Sequence, residues 1–193
     1  PALLAPGVPA WRDRSAWWWV ARRNRLVCDR RIFNPSDHSH DGSYSISAAD
    51  GSDPVRRTVK PYPPSGQFGG GDLPGDVSPD GRQFVFTRAR QDQPQARGRE
   101  QSAALFVERI DGTGLRQITD YGLANSHDGG VAGWSPEGSK IVFGGEHGGL
   151  FTIGPDGRTL ASIPLRASAS SSLAFYPAWS PDGTRVVFGM FLG

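Results

Sequence analysis

The stretch "FYPAWSPDGTRVVFGMF" (residues 175–191) decides the fold. Its centre, Ser180-Pro181-Asp182-Gly183, is a tight-turn signature. Proline presets φ at the second position, an acidic residue follows, and glycine tolerates positive φ. The run that follows, Val186-Val187-Phe188, is β-branched and aromatic and reads as a strand. The same coupling of turn and strand occurs twice upstream. "VSPDG" (77–81) precedes "RQFVFTR", and "WSPEG" (134–138) precedes "SKIVFGG". Phe86, Phe143 and Phe188 each lie five residues after the turn glycine.

A second unit recurs beside the first. "YSISAADGSD" (44–53), "LFVERIDGTG" (105–114) and "LFTIGPDGRT" (150–159) align on Asp50, Asp111 and Asp156. Each is a strand that enters an Asp-Gly turn, and a further short extended run follows each one. The spacing shows a single repeat. Asp111 to Ser135 and Asp156 to Ser180 are both 24 residues, and Pro136 to Pro181 is 45. A period of that length belongs to propeller blades. Pro79 to Pro136 is longer, at 57 residues, and the excess sits in one polar, turn-prone insertion, "ARQDQPQARGREQ" (89–101).

With these units in hand, the chain resembles the WD-like repeat of TolB-type β-propellers. "YPAWSPDGTRVVF" and "LFVERIDGTGLRQIT" match the two halves of that repeat. The resemblance is close over residues 74–191 and weaker over 25–58, where Cys28 stands at the phenylalanine position. It implies an all-β fold of four-stranded antiparallel blades, strands A to D running outward from a channel. The expected layout is two full blades plus two partial ones in an incomplete ring. The blades are about 25–58, 74–119, 131–164 and 176–191, behind an atypical Arg/Trp-rich segment, 1–24. So few blades predict either a propeller fragment or a ring completed by another copy through unpaired edge strands.

The composition bounds the function. Gly 26 and Pro 16 in 193 residues suit turn-rich β structure. The sequence pI of about 9.1 suggests nucleic acid until the charges are placed. Residues 1–31 carry seven Arg against two Asp, whereas the remainder carries 14 basic and 17 acidic groups. The basic character is therefore local, and no nucleic-acid partner is expected. No apolar run is long enough for a membrane span. The single Cys28 forms no internal disulfide. The resemblance implies a periplasmic or secreted location, with cytoplasm left open by the cysteine count.

In an up-and-down blade, A–B and C–D turns share one side, and B–C and D–A loops share the other. The short uniform turns are the first kind. The long or variable loops are the second, and function concentrates in such loops. All four histidines fall there. The loop-face binding candidates are His38, His40, Asp41, His127, Asp128, Glu146 and His147. Their residue types suit a metal, but the loops belong to different blades and no ligand spacing is tight, so no metal and no cofactor is expected. Asp80, Glu137 and Asp182 recur because the turn needs them, not as acid/base groups. Trp134 and Trp179 are expected to pack blade on blade. The run Trp17-Trp18-Trp19 cannot lie wholly on one strand face and marks either a binding patch or an unnatural end. No nucleophile elbow, His-Glu-x-x-His motif or phosphate loop occurs, so no catalytic residue is assigned.

The reading that follows is a non-enzymatic propeller that holds a protein or peptide partner on its loop face. The alternative is the propeller domain of a larger enzyme, either prolyl-oligopeptidase-like or oligogalacturonate-lyase-like, and the latter resemblance implies a His-centred metal site.

Overall fold

The computed structural model describes residues 72–89, 102–125, 131–165 and 174–190 with their side chains. It describes residues 20–22, 25–30, 42–47, 55–56 and 90 as backbone strand. Among these residues there is no helix, and thus none long and apolar enough to cross a membrane. There are fourteen strands in four sheets. The first sheet holds β1 (Val20–Arg22), β2 (Arg25–Arg30), β3 (Gly42–Ser47) and β4 (Val55–Arg56). The second holds β5 (Asp72–Val77), β6 (Gln83–Arg90), β7 (Ser102–Arg109) and β8 (Arg116–Gln117). The third holds β9 (Gly133–Trp134), β10 (Ile141–Gly144), β11 (Leu150–Ile153) and β12 (Ala161–Ile163). The fourth holds β13 (Ala174–Trp179) and β14 (Val186–Met190). Every pair is antiparallel and joins consecutive strands, so each sheet is an up-and-down meander. We call the sheets blades 1 to 4. The A–B and C–D turns leave one end of each blade, the turn rim. The B–C and D–A connections leave the other, the loop rim.

Blade 1 has one strand more than the repeat assigns to it. The sequence pattern places residues 1–24 outside the propeller, yet Val20–Arg22 pairs with Arg25–Arg30. Only Arg23 and Asn24 separate the two strands, where the other blades carry Ser-Pro-x-Gly. The pairing of these strands is not announced by that motif, and a search for proline and glycine misses it. The described residues thus hold three four-stranded sheets and one two-stranded sheet.

Period-two alternation gives blades 2 and 3 two apolar faces each. In blade 2, Phe84, Phe86, Ala104 and Phe106 lie on one face with Val77. Val85, Leu105 and Val107 lie on the other and pack against Trp134, Ile141 and Phe143 of blade 3. Blade 3 repeats the arrangement: Val142 and Leu150 meet Trp179, Val186 and Phe188 of blade 4. The core therefore lies between blades, and Phe143 and Phe188 each turn toward the preceding blade. Burying side chains of this size is worth about 1.5–3 kcal/mol each. Trp134 and Trp179 sit at these joints, as the repeat predicts. Their indole N–H groups meet no acceptor, so packing holds them there.

The inner strands approach closely. A Cβ on Gly75 would lie 2.7 Å from the Ala132 carbonyl oxygen of the next blade and 2.8 Å from that of Val85. Gly133 meets the Pro177 carbonyl in the same way, at 3.1 Å. Asp76 adds a polar clasp. One carboxylate oxygen accepts from the Val77 N–H at 2.7 Å, and the other accepts from the Trp134 N–H at 3.0 Å.

Candidate functional site

The turn rim is built from short closed circuits. In blade 2 the Ser78 N–H donates to the Gln83 carbonyl at 2.8 Å, and the Ser78 hydroxyl accepts from the Gln83 N–H at 2.9 Å. Blades 3 and 4 repeat this with Ser135 and Lys140, and with Ser180 and Arg185. The glycines take the left-handed conformation: φ is 70° at Gly81, 78° at Gly138 and 70° at Gly183. The acidic residue closes the circuit. Asp80 accepts from the Ser78 hydroxyl at 2.6 Å and the Arg82 N–H at 3.0 Å. Glu137 accepts from the Ser139 hydroxyl at 2.8 Å. Asp182 accepts from the Ser180 hydroxyl at 2.5 Å, the Thr184 N–H at 3.0 Å and the Thr184 hydroxyl at 2.8 Å.

These bonds favour the ionised carboxylate. The Ser180 hydroxyl above all, helped by the Thr184 donors, pulls the Asp182 pKa down to about 2. Hydrogen bonds from its own backbone and from Ser139 lower that of Glu137. Carboxylates held as Glu137 and Asp182 are held are poor proton donors at neutral pH. The C–D turns are closed by hydrogen bonds of the same kind, with Asp111 accepting from the Thr113 N–H and Asp156 from the Arg158 N–H. The recurrent acids serve the turns, as the sequence predicts.

The loop rim differs in kind. The segment Tyr121–Asn125 after β8 runs between blades 2 and 3. Ala124 bridges Ala103 on one side and Gly145 on the other. The Gly122 N–H donates to the Ala103 carbonyl at 3.0 Å, and the Asn125 N–H to that of Gly144 at 2.9 Å. The Glu146 N–H donates back to the Leu123 carbonyl at 3.0 Å. This knitting fixes the β10–β11 turn, Gly145–Gly149, which presents half-buried Glu146 and exposed His147. Gly148 and Gly149, at φ 93° and 83°, let the chain reverse there.

A second fixed feature of this rim was not legible in the sequence. The Arg88 guanidinium donates to both oxygens of buried Asp72, at 2.6 and 2.9 Å. It also lies over the rings of Phe86 and Phe106, at 5.3 and 4.7 Å from their centroids. The Asp72 hydrogen bond raises the Arg88 pKa further, against the cost of burial. Nothing in the repeat marks either residue, because the pairing arises only when the ends of β5 and β6 meet.

Of the seven loop-face candidates, the structure describes Glu146 and His147 on this rim. His38, His40, Asp41, His127 and Asp128 lie outside the described residues, as do Trp17, Trp18 and Trp19. Among the described residues, no three His, Cys, Asp or Glu side chains converge into a metal cluster. Shallow clefts open among the described residues. One of about 520 Å³ lies on the turn rim between Asp80, Arg82, Arg109 and Asp111. Another, of about 360 Å³, lies between blades 2 and 3 over Ile118, Leu123, Ile153 and Leu160. Among the described residues, neither is lined by a histidine, cysteine, serine or lysine.

No family model matches the chain, and no curated protein matches it. Solved structures do. An oligogalacturonate lyase in complex with manganese aligns at a TM-score of 0.55 and 17% identity, over 86% of this chain and 41% of that one. Hydrazine synthase from Kuenenia stuttgartiensis aligns at 0.51 and 14%, over 88% and 56%. The β-propeller domain of the Trilobed protease from Pyrococcus furiosus aligns at 0.45 and 9%, over 89% and 52%. The chain thus spans about half the length of these structures or less. At such identities the likeness is one of fold. Successive four-stranded meanders, packed face to face through their inner strands, make this chain a run of β-propeller blades.

Proposed function

We propose that the chain is a binding propeller that holds a protein or peptide partner on its loop rim. One observation carries this reading: the two rims are built differently. The turn rim repeats one self-satisfied circuit, whereas the loop rim bears connections of unequal length on a fixed base. Variable loops on a rigid scaffold are where binding residues concentrate. Panning the immobilised chain against a random linear-peptide library tests it. Enriched peptides are expected to lose about tenfold in affinity when Glu146 and His147 are both replaced by alanine, as loss of a contact worth about 1.4 kcal/mol requires. Asp111→Asn on the turn rim is expected to leave them unchanged. No enriched peptide, or equal loss on both rims, overturns the reading.

A second reading makes the chain the propeller part of a larger enzyme with a metal-binding loop rim. Two things favour it. The lyase with a similar fold is one in complex with manganese, and exposed His147, a metal-ligand type, stands on the fixed β10–β11 turn of this rim. Calorimetric titration of the full chain with Mn²⁺ decides it: a heat signal abolished by His147→Ala supports this reading, and its absence removes it.

A further inference from the structure

Neighbouring blades dock through their turns as well as their faces. A Cβ on Gly138 would lie 3.5 Å from Pro79 Cδ, and one on Gly183 would lie 3.7 Å from Pro136 Cδ. The C–D turn of blade 3 leans back on blade 2. A Cβ on Gly157 would lie 3.3 Å from the Ile118 carbonyl oxygen, and the Arg116 guanidinium donates to the Pro155 carbonyl. At this latch the outer walls of the two blades part, and the cleft of about 360 Å³ opens between them. Its floor is apolar: Ile118 and Ile153 are buried, Leu123 is half-buried, and Leu160 is 50% exposed. Each blade adds one exposed carboxylate to the lining, Asp120 from blade 2 and Asp156 from blade 3. That of Asp120 has no partner among the described residues. Neither Arg116 nor Arg158 lines the cleft.

We propose that this cleft docks an extended segment of a partner protein in which an apolar residue has Lys or Arg two residues away on either side. An apolar floor with two carboxylates beside it complements an apolar side chain flanked by cations. The wall also offers backbone. β12 is the outermost strand of its sheet, so its outer edge pairs with no described strand and is open to strand addition. Leu160 leads directly into that strand. In an extended segment, residues two apart share a face, so this spacing brings apolar and basic side chains to the cleft together. The site includes neither Glu146 nor His147, and it stands whatever binds on the loop rim.

Methyl NMR of the full chain, labelled at Ile and Leu, tests this by titration with acetyl-Lys-Ser-Leu-Ser-Lys-amide. The methyl signals of Ile118, Leu123, Ile153 and Leu160 are expected to shift and saturate. Replacing Asp120 and Asp156 together by Asn should weaken the peptide about fivefold, as loss of two exposed ion pairs allows. Asparagine keeps an acceptor for the Arg158 N–H, so the turn is retained. Leu160→Ala, at an exposed position, provides a second variant and should weaken binding as well. Acetyl-Ser-Lys-Leu-Lys-Ser-amide turns its cations to the opposite face, and acetyl-Glu-Ser-Leu-Ser-Glu-amide reverses their charge; both are expected to bind more weakly. The variant with Glu146→Ala and His147→Ala is expected to bind the first peptide unchanged. The proposal is overturned if these methyl signals do not move, if the paired Asn variant binds as before, if either control peptide binds as tightly, or if the loop-rim variant loses the peptide. Butylamine binding as tightly as the peptide would overturn it too, because the cleft would then take a small amine rather than a chain.

Discussion

Val142 and Val187 occupy the same place in two copies of one repeat, 45 residues apart, and they meet different surroundings. Each precedes the strand phenylalanine by one residue and follows the turn glycine by four. Val142 is sealed under blade 4, while Val187 looks into water. The turn circuits beneath them are nearly identical, down to a Ser N–H bond of 2.8 Å in both. The repeat thus specifies turn and strand from within, whereas burial is conferred by the neighbouring blade.

The widest contrast is expected when both valines become aspartate. Val142→Asp places a carboxylate in an apolar joint with no partner, a cost of several kcal/mol that abolishes the cooperative unfolding transition. Val187→Asp should shift the transition by less than about 0.5 kcal/mol, as exposed substitutions do. Equal effects would mean that the two environments are not distinct. Next comes Phe143→Ala, expected to cost about 3–5 kcal/mol in denaturant unfolding, because Phe143 is buried against blade 2 and its ring lies 5.7 Å from that of Phe151. Phe188→Ala should cost less, since that ring is only half-buried.

A third change probes the axis. Gly75→Ala drives a methyl group against two carbonyl oxygens, and overpacking of this kind costs about 1–3 kcal/mol. Gly112→Ala meets nothing within 4 Å and suffers only from its φ of 86°, roughly 1–2 kcal/mol. A larger loss at Gly112 would argue against tight contact between inner strands. The smallest effect concerns acid. The folded pKa of Asp182, about 2, lies below the ordinary carboxylate value of about 3.9. Its contribution to stability is therefore complete above about pH 4 and fades as pH falls through 2. Carboxyl-carbon NMR should place its midpoint near 2, and a midpoint near 4 would show that the Ser180 and Thr184 bonds are absent in solution.

The sequence made the turn rim legible because the bonds that close each turn circuit span five residues or fewer. Strand faces were legible too, since alternation reports which side chains share a side. What escaped reading depends on distant or irregular pairing. Asp76 clasps a backbone amide 58 residues away, and Arg88 finds Asp72 only across two strands. Val20–Arg22 escaped because its hairpin lacks the Pro-x-Gly mark. On the loop rim, a local signal put Glu146 and His147 on a short turn. The knot that fixes this turn comes from Leu123 and Ala124, whose partners no periodicity announces.

The proline and glycine that meet between blades come from the same turn motif, one facing onward and the other back. A duplicated stretch of gene encoding one such unit would carry both halves of the joint with it. Blades of this kind can multiply in tandem without new solutions at their borders, so the size of the ring becomes a matter of copy number.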